Sequence, residues 1–518
     1  MILLVVFIVI VMISLAGLSF VELMSTENKA VHLHGDEIQA QAALRSGEEL
    51  LKFFLEQTPD VRQAAAGTFD NPDLFRGTMV LEDPAEKHNC RVTVISPRLE
   101  EGEVRGIRYG VDDESSRLNL ASVLDWEQRH PGDGKQALLR LPGMTENIAD
   151  AILDWMDGDS ESRQMGAEAD YYSALMVPYG PRNAVPTSIE ELLLVKGVTR
   201  ELLFGVDWTD RPFDVAALYS ASQGTAGPPT GTMPSAADLP WVMLLTVYSA
   251  EKNVTPVGTP KINLNDPDLA RLSQRLAAAF DAPTAQFVVA YRQFGPYAGV
   301  EASIPGAPFQ ADLKLPARFT IDSPLDLIAA RVRAQALGSI VLDSPFTGES
   351  SATREVLSKI LDLLTTDSGP VIRGRINVNL APTLVLGCIP GIDDGLVTRI
   401  VSARGTPDAP DTVDRHNLAW LVTEGLVDLP QLKALLPYLT TGGDVYRAQI
   451  IGYFDDKGPS ARAEVIIDAT STPSREVYWK DLKMLGPGYP PEALGGSPSD
   501  AAAFLPVRQT GQLAHGAP

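Results

Sequence analysis

Cysteine, histidine and positive charge are all scarce in this chain, and each scarcity removes a class of function. Two cysteines, Cys90 and Cys388, stand in 518 residues. They make neither a disulfide framework nor a zinc spacing; outside the cytoplasm they could pair, but each is expected as a lone buried thiol. The six histidines form no metal-ligand spacing beyond His32-x-His34, which falls on a helix where exposure is the expected state. No Gly-x-Ser-x-Gly elbow, phosphate loop or His-Glu-x-x-His is present. Without them no catalytic or cofactor-binding residue is legible, and an enzyme is not expected. Lys and Arg number 43 against 66 Asp and Glu, a formal charge of -23. That balance opposes nucleic-acid binding, which needs cations to displace counterions from phosphate.

The one long apolar run is at the start. Ile2 to Val21 holds no Asp, Glu, Lys or Arg, and as a helix it spans roughly 30 Å, the thickness of a bilayer's hydrocarbon core. A secretory signal peptide would carry a basic flank, a shorter apolar core and a break at a small-residue cleavage site. Here the pattern runs on past Glu22, with Ala40, Ala43, Leu44, Gly47, Leu50, Leu51 and Phe54 at steps of three and four. Anchor and stalk are therefore expected as one helix. The few cations beyond the anchor are balanced by acids, which places that side away from the cytoplasm.

Short β-type runs follow at Gly77–Glu82, Cys90–Ser96 and Glu103–Val111, and return only at Val445–Phe454, Ala461–Ala469 and Arg475–Leu482. Between them the pattern is helical for over 300 residues from about Ser115. Strands on both sides of a helical block are explained by one small sheet with an insertion, because domains tolerate insertion where chain ends lie close. The expected fold class is α+β: a long transmembrane and stalk helix packed on a small antiparallel sheet, interrupted by a large all-α insertion.

Two patterns recur inside the block. An apolar-x-Gly-apolar turn followed by Thr or Asp recurs at Leu141–Thr145, Val195–Thr199 and Ile389–Asp393. Gly supplies a positive φ where one helix ends, and Thr or Asp caps the next, so these are expected as helix-hairpin-helix units. The second is Ile-Asn-x-Asn, at Ile262–Asn265 and Ile376–Asn379, with a fainter copy at Leu118-Asn119-Leu120. The two clear copies are followed at similar distances by Arg292 and Arg404, and all read as structural staples between helices.

The densest polar cluster runs from Glu146 to Asp170, eight carboxylates against the single cation Arg163. Asp157-Gly158-Asp159 followed by Glu168 and Asp170 offers the oxygen ligands a calcium ion requires, although the EF-hand spacing is absent. The competing reading is a solvated acidic loop. In DNA-binding hairpins backbone amides meet a phosphate, but here Asp393-Asp394 and Thr145-Glu146 stand at that place and would repel it.

Several phrases together resemble the general secretion pathway protein K family, the minor pseudopilins of type II secretion. They are Asp113-Glu114-Ser115 to Leu120, Ala151 to Asp157, Gly166-Ala167-Glu168, Tyr171-Tyr172, Pro178-Tyr179, Arg182-Asn183, Glu190 to Gly197, Ile376 to Pro382, Pro390-Gly391 and Tyr478-Trp479-Lys480. The resemblance covers roughly residues 1–210 and 370–485; the stretch 211–369 has no clear counterpart. It implies a structural cap at the tip of a periplasmic pseudopilus. The implied partners are other minor pseudopilins, inner-membrane lipid and secretion machinery, with no nucleic acid. It further implies calcium held by Asp157, Asp159, Glu168 and Asp170, and tolerates Val5 where most pilins carry Glu. No short basic leader precedes Met1, so the chain as given is expected to begin near the mature N-terminus or to have its start codon set too late.

On this basis the chain divides into a transmembrane segment (1–24), stalk and first part of a pilin-like sheet (25–113), a first helix-hairpin-helix, SAM-like domain (114–210) and a linker (211–234). An additional helical insertion (235–369), a second such domain (370–443), the last strands (444–485) and a disordered tail (486–518) complete it. The alternative function is a membrane-anchored DNA receptor for uptake, which also joins an anchor to hairpin modules.

Overall fold

One helix, α1 (Ile2–Leu55), carries both the apolar anchor and the stalk, as the uninterrupted pattern requires. It is the one helix among the described residues long and apolar enough to cross a membrane, and its most apolar stretch is wholly exposed. In this computed structural model the described residues are 2–84, 89–100, 103–205, 239–303, 309–335, 339–347, 353–405, 415–455, 458–485 and 488–495. The linker expected over 211–234 lies outside them.

Burial on α1 begins at Ala40 and continues through Ala43, Leu44, Gly47, Leu51 and Leu55, a stripe at helical spacing. Each large aliphatic side chain in it contributes about 2 kcal/mol on leaving water. The stripe lies on a seven-stranded sheet built from β1 (Thr78–Leu81), β2 (Cys90–Glu100), β3 (Glu103–Tyr109), β4 (Asp112–Asp113), β5 (Val445–Phe454), β6 (Ala461–Asp468) and β7 (Arg475–Asp481). The order is β1-β2-β5-β6-β7, with β3 also on β2 and β4 also on β5. All pairs are antiparallel, and β5 meets β2 with Ile450 opposite Val94. The sheet is thus assembled from strands on both sides of the insertion, as expected.

Alternation decides its two faces. Val92, Val94, Ala448, Ile450 and Phe454 pack under α1, while Ile95, Ile451 and Tyr453 point the other way. That second face needs a cover, and residues 488–495 supply it through buried Tyr489, Ala493 and Leu494. Tyr489 Oη donates to Gln449 Oε1 at 2.8 Å, and Thr93 Oγ1 to the Leu494 carbonyl at 3.0 Å. The expectation of a disordered tail from Gly486 is therefore corrected over 488–495; residues 496–518 lie outside the described ones.

The insertion is not all-α. Its helices are closed by three short parallel pairs: Leu118–Asn119 with Leu245–Thr246, Ile262–Asn263 with Leu364–Thr365, and Ile376–Asn377 with Leu439–Thr440. Each pair joins the start of a module to its end, so the block is three modules in tandem, each tied shut by the same two-residue ladder. A hairpin, Arg331–Gln335 with Ser339–Asp343, adds further strand; its buried Val332, Ala334 and Val341 alternate over too few residues to stand out in sequence. The three modules share one continuous apolar core. Gly143, Gly197 and Gly391 take positive φ at the recurrent turns, and Thr145, Thr199 and Asp393 cap the helices that follow.

The insertion leaves the sheet at β4 and returns into β5, which lie side by side. Three consecutive carboxylates tie that junction. Asp112 accepts from Arg108 at 3.0 Å and Arg117 at 2.6 Å. Asp113 accepts from Ser115 N, Asn377 Nδ2 and Gly443 N, each at 2.8 Å, joining the sheet to both ends of the third module. Glu114 bonds Arg447 at 2.7 Å and the Thr246 hydroxyl that ends the first module. Burial opposes the charge of Glu114, but Arg447 and Arg117 hold its carboxylate below the usual range.

Candidate functional site

The acidic loop is built on the helix Glu146–Met156, whose Ala149, Ala151, Ile152, Leu153, Trp155 and Met156 are buried. Thr145 caps its start, and the chain folds back over its end. Asp154, wholly buried, organises that return: its carboxylate accepts from Ala167 N at 2.9 Å and from Arg163 N at 3.1 Å. Gly166 is required there, since a Cβ would stand 1.8 Å from Asp154 Oδ2. Trp155 holds the outer side through edge contacts with Tyr172 at 5.2 Å and Tyr179 at 6.2 Å.

This fold-back brings Asp157, Asp159 and Glu168 together, with one oxygen of each within 4.8 Å of the others. Asp170 is not brought in; it lies exposed on the first turn of the next short helix. Asp154 was legible as part of the acidic run but not as its organiser, although its place three residues before Asp157 puts both on one helix face. Arg163, the one cation of the run, bonds Asp154 at 2.7 Å and also contacts Asp157.

Asp159 Oδ1 accepts from Glu161 N at 2.8 Å, but three oxygens of the cluster are unsatisfied. Both carboxylate oxygens of Glu168 and Oδ1 of Asp157 are buried with no hydrogen-bond partner among the described residues. Burial pushes the Glu168 carboxyl above its usual range, reinforced by the charges of Asp154 and Asp157. Burial also raises Asp157, with Arg163 acting against it. Buried carboxylate oxygens without donors are what a hard oxygen-seeking cation satisfies. The three carboxylates are of the chemistry that could hold such a cation, with Arg163 already set against Asp157.

The two arginines that follow the Ile-Asn-x-Asn copies each hold backbone carbonyls. Arg292 reaches the Leu264 carbonyl, and its Nε donates to the Phe319 carbonyl at 2.7 Å. Arg404 donates to the Ala381 carbonyl at 2.6 Å and the Val378 carbonyl at 3.3 Å. Leu264 and Val378 hold the same place in the two Ile-Asn-x-Asn copies, so the two modules use one device. Cys90 and Cys388 are both buried, and neither is in a disulfide.

Residues 116–205 match the family model of type II secretion system protein K, a stretch that contains the whole acidic loop. Over 103 residues, 19% of the chain, the sequence is 34% identical to the type II secretion system protein K of Pectobacterium carotovorum subsp. carotovorum. That alignment covers 29% of the relative, so the chain matches under a third of the curated protein's length. A solved structure, the GspK-GspI-GspJ complex from the enterotoxigenic Escherichia coli type 2 secretion system, is similar with TM-score 0.34 and 11% identity, covering 87% of this chain and 99% of that one. The resemblance drawn from the residues is thus carried over residues 116–205 by the family model and over 103 residues by a curated relative.

Proposed function

We propose that the chain acts as a minor pseudopilin of a type II secretion system, forming the bulky tip of a periplasmic pseudopilus and supporting secretion across the outer membrane. The support is one placement. The stretch that matches protein K begins just after β4, in a body whose sheet rests on a helix headed by a bare apolar segment. That segment would hold the chain in the inner membrane with its body in the periplasm. The exposed Val31, Leu33, Ile38, Leu50 and Phe53 of α1 would then pack against the helices of other minor pseudopilins. The role is structural, without catalysis. Co-expression with the other minor pseudopilins of the same system should yield a complex extracted intact in mild detergent. Deletion of the chain should leave the system's substrates in the periplasm; unchanged secretion would sink the proposal.

Within this role the acidic loop would bind calcium through Asp157, Asp159 and Glu168, which would set the loop against Asp154 and the helix end. The three Gly-centred turns act as helix-hairpin-helix, SAM-like packing units. Against the DNA-uptake reading, Asp393 itself fills the amide position at its hairpin, accepting from Leu396 N at 2.7 Å. Tight, salt-sensitive binding of duplex DNA by the full chain would reverse that preference.

A further inference from the structure

The first module presents an apolar patch beside the acidic loop. Met176 is 98% exposed and Val177 71%, and Leu194, Met165, Tyr171 and Tyr179 expose between 36% and 47%. The loop that carries them is framed by its own contacts. Tyr179 Oη donates to the Leu194 carbonyl at 2.8 Å, and its ring lies 5.3 Å from that of buried Tyr172, which in turn meets Tyr171 at 5.2 Å. Rigid Tyr and adaptable Met side chains, ordered before binding, are what protein contact surfaces use, because little freedom remains to be lost.

Apart from Lys196, the charges around the patch that lack an ion pair have one sign. Asp159, Glu161 and Asp170 are exposed, and none of them has an ion pair among the described residues. The nearby cations are already engaged: Arg163 with Asp154 and Asp157, Arg182 with Glu191 at 3.1 Å, and Lys196 with the Gly166 carbonyl at 2.9 Å and over the Tyr171 ring at 5.0 Å. A second copy of a chain carrying a charge of -23 would bring carboxylates to carboxylates, and an anionic lipid surface would be repelled in the same way.

We propose that this face docks a polypeptide segment of another protein in which Lys or Arg stands beside an aliphatic or aromatic side chain. The apolar group covers Met176 and Val177 while the cation meets Glu161 and Asp170. This does not rest on calcium binding, since Glu161 and Asp170 are outside the metal cluster.

The experiment uses the full chain in lipid nanodiscs and two fluorescent twelve-residue peptides, one alternating Lys with Leu and Trp, the other with Glu in place of each Lys. The Lys peptide should bind and the Glu peptide should not. Met176→Ser with Val177→Ser should weaken binding about tenfold, and Glu161→Gln with Asp170→Asn about threefold at low salt. Both variants should keep the parent melting temperature, because the altered side chains are exposed. Equal binding of the two peptides, no binding, or unchanged binding by the Met176/Val177 variant overturns the proposal. So does self-association or binding to neutral vesicles that this variant abolishes. Dilute peroxide provides an independent arm: Met176 should oxidise about as fast as methionine in a free peptide, and a protected Met176 would mean that the chain itself covers the patch.

Discussion

A Cβ on Gly452 would stand 2.4 Å from the Ala40 carbonyl oxygen, so the central strand β5 and the stalk helix meet backbone to backbone. Gly47 makes room from the helix side for a side chain, with Val92 Cγ1 at 2.3 Å from its missing Cβ. These two positions set how closely α1 can lie on the sheet. Gly452→Val should push the helix off and lower stability by about 3 kcal/mol, read as a fall in the urea midpoint of the full chain in detergent. An unchanged midpoint would show that the helix rests elsewhere.

Asp113 is a pH-dependent weak point at the sheet–insertion junction. Burial raises its carboxyl from the ordinary 3.8 to about 6, although Asn377, Ser115 and Gly443 donate to it. The folded state therefore holds a proton that the unfolded chain gives up, and stability falls as pH rises from about 4 through about 6. The loss from this one group approaches 3 kcal/mol in full. Asp113→Asn should flatten that slope while lowering stability overall, because its amide would face the donors of Asn377 and Gly443. Unfolding series between pH 4.5 and 7.5 test this; parallel slopes for the two proteins would clear Asp113 of the role.

The strand pattern was legible because alternation such as Val92–Val94 survives in sequence wherever a sheet has two distinct faces. The hairpin turns were legible too, since only Gly readily takes the φ of +67 to +84 found at Gly143, Gly197 and Gly391. The third staple was faint in sequence because Leu118-Asn119 lacks the second Asn. Its Leu-Thr partner at 245–246 lies 127 residues away across the first module, and two residues carry no periodicity. Tyr489 and Leu494 were missed for a different reason. A Pro- and Gly-rich stretch reads as unstructured unless the face it covers is known. In the acidic loop the resemblance offered Asp157, Asp159, Glu168 and Asp170 together; the fold-back gathers the first three, while a helical turn leaves Asp170 exposed.

Arg292 and Arg404 hold equivalent carbonyls, so their loss should cost similar amounts. Burial lowers the Arg404 guanidinium to about 10, which marks a desolvated cation kept for its hydrogen bonds. Arg404→Ala would leave the Val378 and Ala381 carbonyls without it, at about 2 kcal/mol. Arg292→Ala should match it within about 1 kcal/mol. Hydrogen exchange should show each loss confined to its own module; loss spread evenly over both would contradict the idea of separate staples.

The calcium site proposed above makes a direct prediction for the acidic loop. Millimolar calcium should raise the melting temperature of the full chain by several degrees, and chelator should reverse it, because the ion binds only the folded cluster. Asp157→Asn with Glu168→Gln should abolish the shift, while Asp170→Asn should leave it intact. A shift that survives the first pair, or vanishes with Asp170→Asn, would place the ion at a different set of carboxylates.

The second module hangs on a narrow neck. Ala250–Lys252 and Val371–Arg373 pair antiparallel, and Asn253 N donates to the Pro370 carbonyl at 2.9 Å. The chain therefore leaves and returns at neighbouring points, and replacing residues 254–369 by a short Gly-containing turn would turn the neck into a plain hairpin. What is lost on the third module includes polar contacts: His416 with Asp362 at 3.1 Å, Asn417 with Ser358 at 2.6 Å and the Lys433–Asp326 pair. Removal also uncovers part of the shared core where the helix Thr353–Leu363 meets Ala419–Thr423. The shortened chain should consequently fold with a lower melting temperature and, on the role proposed here, keep the calcium response and still join other minor pseudopilins. A shortened chain that folds but no longer assembles would show that the second module, not the sheet and stalk, makes the partner contact.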